Sequence, residues 1–177
     1  MKKIFTTRAI VVMAVLTAMD VIFTHLLAIN TQFLRISFNF IIHSILGALF
    51  GPIGAAISMF FADVLGANLF PNGPFFIGFS LNAIVMGLLY GFFYYKKEIT
   101  WARVITATLV TTLLSSLILT PMWLTIMYKV PFWSLMPIRL VKSLILVPIQ
   151  AIVTYYVLPQ IMRTPEFKRF QHMQQSK

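Results

Sequence analysis

Apolar residues run in long blocks along this chain, and the polar residues gather between the blocks. Six hydrophobic segments stand out, at roughly residues 8–28, 37–51, 54–70, 74–95, 102–127 and 134–160. A helix rises about 1.5 Å per residue and a bilayer core is about 30 Å thick, so ~20 apolar residues make one crossing. The pattern predicts an all-α integral membrane protein of six transmembrane helices. Residues 1–162 are expected to form a single transmembrane domain, and residues 163–177 a short basic tail. The breaks carry turn chemistry: Gly51-Pro52 with Gly54, then Pro71-Asn72-Gly73-Pro74, Lys96-Lys97-Glu98 and Lys129-Val130-Pro131. Segments 37–51 and 54–70 are short for full crossings, which leaves open tilting, partial unwinding or one long hairpin in protein-lined surroundings.

Composition narrows the class. Of 177 residues, 59% are hydrophobic and 10% charged, which excludes both an ordinary cytoplasmic enzyme and disorder. Fourteen Lys and Arg stand against four acidic residues, Asp20, Asp63, Glu98 and Glu166, for a net charge of +10. The basic residues sit mainly at segment ends, so the membrane surface, rather than nucleic acid, is their expected partner. With the N-terminus cytoplasmic, Lys2, Lys3, Arg8, Lys96, Lys97, Arg103, Arg163, Lys168, Arg169 and Lys177 fall inside, and Arg35, Lys129, Arg139 and Lys142 outside. That bias predicts both termini in the cytoplasm. Asp20 interrupts the first apolar run and no clear cleavage site follows, so that run is expected to be a retained span rather than a signal peptide. There is no cysteine, hence no disulfide and no thiolate site.

All eight glycines lie between Gly47 and Gly91, in two GxxxG pairs, Gly47/Gly51 and Gly87/Gly91, among others. Small residues at that spacing let helices approach closely in lipid, so spans two to four are expected to form a tight core.

Polar groups at membrane depth need a reason. Arg139 and Lys142 share a face of span six, roughly 8 and 12 Å below its start. His43 lies about 9 Å down span two, with Asn39 one turn above it and Arg35 at the rim. Asn82 lies about 12 Å down span four and shares a face with Phe75, Phe79 and Met86. Asp63 sits near the middle of span three, and Asp20 beyond the middle of span one. Most of these residues occupy the outer half, whereas a pore or proton relay needs polar groups through the whole thickness. The pattern predicts a cavity open outside and closed below. Aromatic walls with a few cationic and polar groups suit a flat, partly anionic small molecule. Plainer readings stand beside this one: interhelical ion pairs for Asp20 or Asp63, snorkelling for Arg139 and Lys142, and a helix–helix hydrogen bond for His43. No catalytic constellation, metal-ligand spacing or phosphate loop is present, so neither enzyme activity nor a cofactor is expected.

Several stretches resemble the S components of energy-coupling factor (ECF) vitamin transporters. They are Leu-Gly-Ala-Leu-Phe-Gly-Pro-Ile-Gly-Ala-Ala at 46–56, Ala-Asp-Val-Leu-Gly-Ala at 62–67 and Phe-Phe-Ile-Gly-Phe-Ser-Leu-Asn-Ala at 75–83. With Arg35-Ile-Ser-Phe-Asn upstream and Pro137-Ile-Arg-Leu-Val-Lys142 downstream, they look most like the folate-specific, FolT-like branch. The resemblance implies a subunit that binds one vitamin in an outward-facing pocket. It further implies a membrane scaffold subunit and two cytoplasmic ATPases as partners, and reorientation of the subunit in the membrane to carry its ligand inward. It gives a first-span small-residue motif the role of docking the scaffold, which Ala14 and Ala18 match here, with Ala9 nearer the cytoplasmic end. On this footing the outer loops 29–36 and 67–76 would cover the pocket. The pterin would meet Phe75, Phe79, Asp63, Asn39 or Asn82, and the glutamate Arg35, Arg139 or Lys142. Rival expectations are an S component for another vitamin or base precursor, a stand-alone channel or carrier, and a purely structural subunit.

Overall fold

A computed structural model of the chain describes residues 7–26, 28–30, 35–71, 75–165, 167 and 168. The first span is α1 (Thr7–Val21), continued by a π-helical turn over Ile22–Leu26. A two-residue antiparallel ladder, β1 (Ile29–Asn30) with β2 (Arg35–Ile36), follows and departs from the all-helical expectation at that one loop. Next come α2 (Phe40–Leu69), α3 (Ile77–Tyr94), α4 (Trp101–Thr112), a π-helical segment Leu113–Leu119, α5 (Thr120–Tyr128) and α6 (Phe132–Arg163). Taking the π segments with their neighbours, five helices among the described residues are long and apolar enough to cross a membrane.

The count differs from six because residues 40–69 form one element where two spans are expected. That element is broken: Gly51 takes φ +70° and ψ −171°, and Pro52 follows it. Glycine tolerates the positive φ, and proline supplies no N–H to continue the helical ladder. The two halves double back. His43 bonds Asp20 at 3.1 Å, while Gly66 sits against the ring of His25, only five residues beyond Asp20. In a straight helix His43 and Gly66 would stand about 34 Å apart.

The two halves of α2 pack on α3 through glycines, as the GxxxG spacing predicts. A Cβ built on Gly47 would lie 2.6 Å from the carbonyl carbon of Tyr90. One on Gly87 would meet the backbone of Ala55 and Ala56, and one on Gly91 the backbone of Gly51 and Pro52. Such approach brings backbones together where lipid offers no hydrophobic drive for association. Around this pair α1 packs on α2, and α6 on α4 and α2. The core at the end away from the cavity described below is filled by Leu46, Tyr94, Val104 and Leu158, none more than 2% exposed. Phe167 joins this core, so packing extends past residue 162 into the stretch read as a tail. Glu166, Arg169 and residues 170–177 of that stretch lie outside the described residues.

The exterior is apolar. Leu144 and Trp133 on α6 are each 80% exposed, as side chains facing hydrocarbon and its interface would be. Trp101 does more than sit in an interfacial belt: it stacks on Tyr155, with centroids 4.2 Å apart and ring planes 15° from parallel, tying α4 to α6. Ala9 sits apart from the other two alanines of the expected docking motif. It is wholly buried in the core, whereas Ala14 and Ala18 are exposed, because position 9 is turned about 140° from position 14 on a 100°-per-residue helix. A partner could reach Ala14 and Ala18 but not Ala9.

Candidate binding cavity

One end of the bundle encloses an open cavity of about 560 Å³, within the range of small-molecule sites. Every helical span reaches it. Of the residues singled out in the sequence, Asn39, His43, Asp63, Phe75, Phe79, Asn82, Arg139 and Lys142 all line it, and so does Asp20. The side chain of Arg35 lies outside the described residues, as do residues 31–34 and 72–74 of the two loops expected to cover the pocket.

The polar groups fall into three stations along the wall. On the first, Asp20 is buried, accepts from Thr24 Oγ1 at 3.2 Å and pairs with His43 Nε2 at 3.1 Å. The His43 ring meets Tyr90 edge-on, with centroids 5.5 Å apart. Among the described residues the hydrogen-bond partners of the Asp20 carboxyl are thus Thr24 and an imidazole on α2. The π-helical turn 22–26 brings Thr24 and His25 to the same wall, and His25 stacks near Phe70.

On the second station Asp63 accepts from Ser80 Oγ at 2.7 Å, which fixes the carboxylate against α3. Nearby, Asn82 Nδ2 donates to Ser115 Oγ at 3.1 Å, while its Oδ1 has no hydrogen-bond partner among the described residues. Phe76 and Phe79 stand edge to face, with centroids 6.1 Å apart, and Phe76 also packs against Trp123.

On the third, Arg139 is 4% exposed and donates from Nη1 to the carbonyl of Ser116 at 3.1 Å. Lys142, one turn on, is half-buried on the same wall, so neither side chain has simply snorkelled away from the cavity. The hydroxyls of Ser116 and Ser143 line this wall, and both lack a hydrogen-bond partner among the described residues. Buried polar atoms left open in this way are costly unless a ligand or water meets them, and three of them here border one cavity.

The floor was not legible in the sequence. Tyr90 and Thr111 line the cavity's inner end, and Tyr94 lies below them beside Thr108 and Ser44. These hydroxyls face one another only because α2, α3 and α4 are rotated to bring them together. Thr111 and Ser115, four residues apart across from Asn82, were the available signal for a polar stripe on the fifth predicted span. Below this floor, among the described residues, Leu46, Tyr94, Val104 and Leu158 pack the core.

Three comparisons bear on what such a cavity serves. The family model for the ECF transporter substrate-specific component matches residues 8–158. "Folate transporter FolT" of Clostridium novyi (strain NT) is 39% identical over 155 residues, covering 88% of each chain. The protein of the same name from Streptococcus mutans is 35% identical over 144 residues, covering 78% of this chain and 77% of the relative. That from Leuconostoc mesenteroides subsp. mesenteroides is 32% identical over 158 residues, covering 86% and 85%. A solved structure described as FolT bound with folic acid superposes with a TM-score of 0.83 at 49% identity, covering 86% of this chain and 93% of the other. The apolar helices and the family together make this a multi-pass cell-membrane protein and a transport component rather than an enzyme. With its model matched over most of the chain, the family is settled: this protein belongs to the substrate-specific components of ECF transporters.

Proposed function

We propose that this chain is the folate-binding subunit of an ECF-type vitamin importer. The observation that carries the reading is one aromatic-walled cavity whose polar lining divides between the carboxylate and amide of Asp63 on α2 and Asn82 on α3 and a cationic pair, Arg139 and Lys142, on α6. Folate has the matching division: a flat pterin rich in N–H donors and ring acceptors at one end, and two carboxylates at the other. The likeness to proteins named folate transporters supports the same ligand. The pterin is assigned to Asp63, Asn39 and Asn82, stacked by Phe75 and Phe79. The glutamate is assigned to Arg139 and Lys142, with Arg35 at the rim and the His43–Asp20 pair on the adjoining wall.

The topology proposed is six crossings, with the halves of α2 as separate antiparallel spans and both termini cytoplasmic. The doubling back at Gly51 and the excess of basic residues on the side of Lys96, Lys97 and Arg103 support it. The family supports a membrane scaffold and two ATPases as partners, with ATP hydrolysed there. Ala14 and Ala18 are the proposed docking face for the scaffold.

Calorimetric titration of the purified, ligand-stripped chain with folate, pteroate and riboflavin tests the reading. Tight one-to-one folate binding, weaker pteroate binding and no riboflavin binding are expected. Preference for riboflavin, or no binding of any of the three by folded protein, would overturn it.

A further inference from the structure

The π-helical segment beside the cavity has a local cause and a consequence for Arg139. In an α-helix each carbonyl accepts from the N–H four residues on, and in a π-helix from the N–H five on. Here Thr120 N–H donates to the carbonyl of Ser115, five residues back. The next donor in that register belongs to position 121, which is proline and carries no N–H. The carbonyl of Ser116 is therefore left without its in-register backbone donor. Arg139 Nη1, from α6, donates to it instead at 3.1 Å. Pro121 is fully buried, so it meets this junction from inside the bundle.

A guanidinium is a planar fork, so anchoring one nitrogen, with the side chain attached at Nε, restricts where the other N–H groups point. We propose that Pro121 is a positioning residue for ligand binding. By withholding a backbone donor it keeps the Ser116 carbonyl as an anchor for one arm of Arg139, and so sets the direction from which the guanidinium meets the anionic end of the ligand. The proposal rests on the assignment of Arg139 to the ligand carboxylates made above. It differs from a helix-bending role for proline, which would alter the cavity as a whole rather than one of its ends.

The test is titration of monodisperse Pro121→Ala with folate and with pteroate, which keeps the pterin and aminobenzoate but lacks the glutamate. Alanine supplies the N–H that Ser116 needs. Folate is expected to weaken about tenfold and pteroate by less than about threefold. Lactic acid incorporated at position 121 replaces the amide by an ester and again offers no N–H, and this variant is expected to bind both ligands within about threefold of the wild type. Pro121→Gly supplies the same donor as alanine and serves if the alanine variant does not fold. Three results would overturn the proposal: unchanged folate affinity in the N–H-bearing variant, equal loss of both ligands, or equal loss in the ester variant. Arg139→Gln in the same titrations tests the underlying assignment separately. If it loses both ligands alike, the carboxylate assignment has failed, whatever Pro121 does.

Discussion

Substituting Gly91 by alanine sets two effects of known size against each other. Alanine is the better helix former by about 1 kcal/mol in a helix interior. The added Cβ, however, would overlap the backbone N and Cα of Pro52 and the carbonyl carbon of Gly51. Backbone cannot rotate away as a side chain can, so α3 has to move off α2, and the cost belongs at the upper end of overpacking penalties, about 3 kcal/mol. The net expectation for Gly91→Ala is a loss of about 2 kcal/mol. Gly66→Ala is the matched control, since the three atoms nearest its Cβ belong to the imidazole of His25, a side chain rather than backbone. Its stability should change by less than about 1 kcal/mol in either direction, while folate affinity falls because His25 is pushed along the cavity wall. Equilibrium unfolding in mixed micelles of dodecylmaltoside and SDS, with folate titration of both variants, reads the two quantities. If Gly91→Ala were as stable as the wild type, or if the two variants ranked the other way, the close backbone approach of α2 and α3 would be wrong.

The remaining expectations concern topology and the buried Asp20–His43 hydrogen bond. The chain has no cysteine, so Thr7→Cys and Lys97→Cys can be labelled one at a time in intact cells with a membrane-impermeant maleimide. Six crossings place both on the same side, protected until the cells are opened; labelling of one but not the other in intact cells would mean that α2 crosses only once. A double-mutant cycle of Asp20→Asn and His43→Ala should give a coupling of about 1–2 kcal/mol, at the high end for membrane hydrogen bonds because one partner carries charge. Coupling under about 0.3 kcal/mol would show that Asp20 is held by something other than His43.

Hydropathy, the break at Gly51-Pro52 and the glycine spacing were all legible along the chain, because each depends on only a few neighbouring residues. A run of apolar residues spans lipid whatever its neighbours do, a Gly-Pro pair breaks a helix locally, and a GxxxG pair leaves a flat surface on whichever helix carries it. The candidate cavity residues were found by the same logic, since a polar group at depth needs a protein-lined place. What the chain alone left open was rotation and pairing. In lipid the outward face of a helix is as apolar as the inward one, so periodicity does not say that Ala9 turns in while Ala14 turns out, or that Tyr90 and Tyr94 meet hydroxyls from α4 and α2. Asp20 finds His43 at a separation of 23 residues, and Arg139 finds the carbonyl of Ser116 at the same separation. Pro121 was visible as a proline, but that it opens a carbonyl to an arginine on another helix follows only once α5 and α6 are packed side by side. Sequence thus determined which segments enter the membrane and where they break, because those choices are made between chain and solvent. The tertiary structure decided which polar groups satisfy one another, because that choice is made between helices.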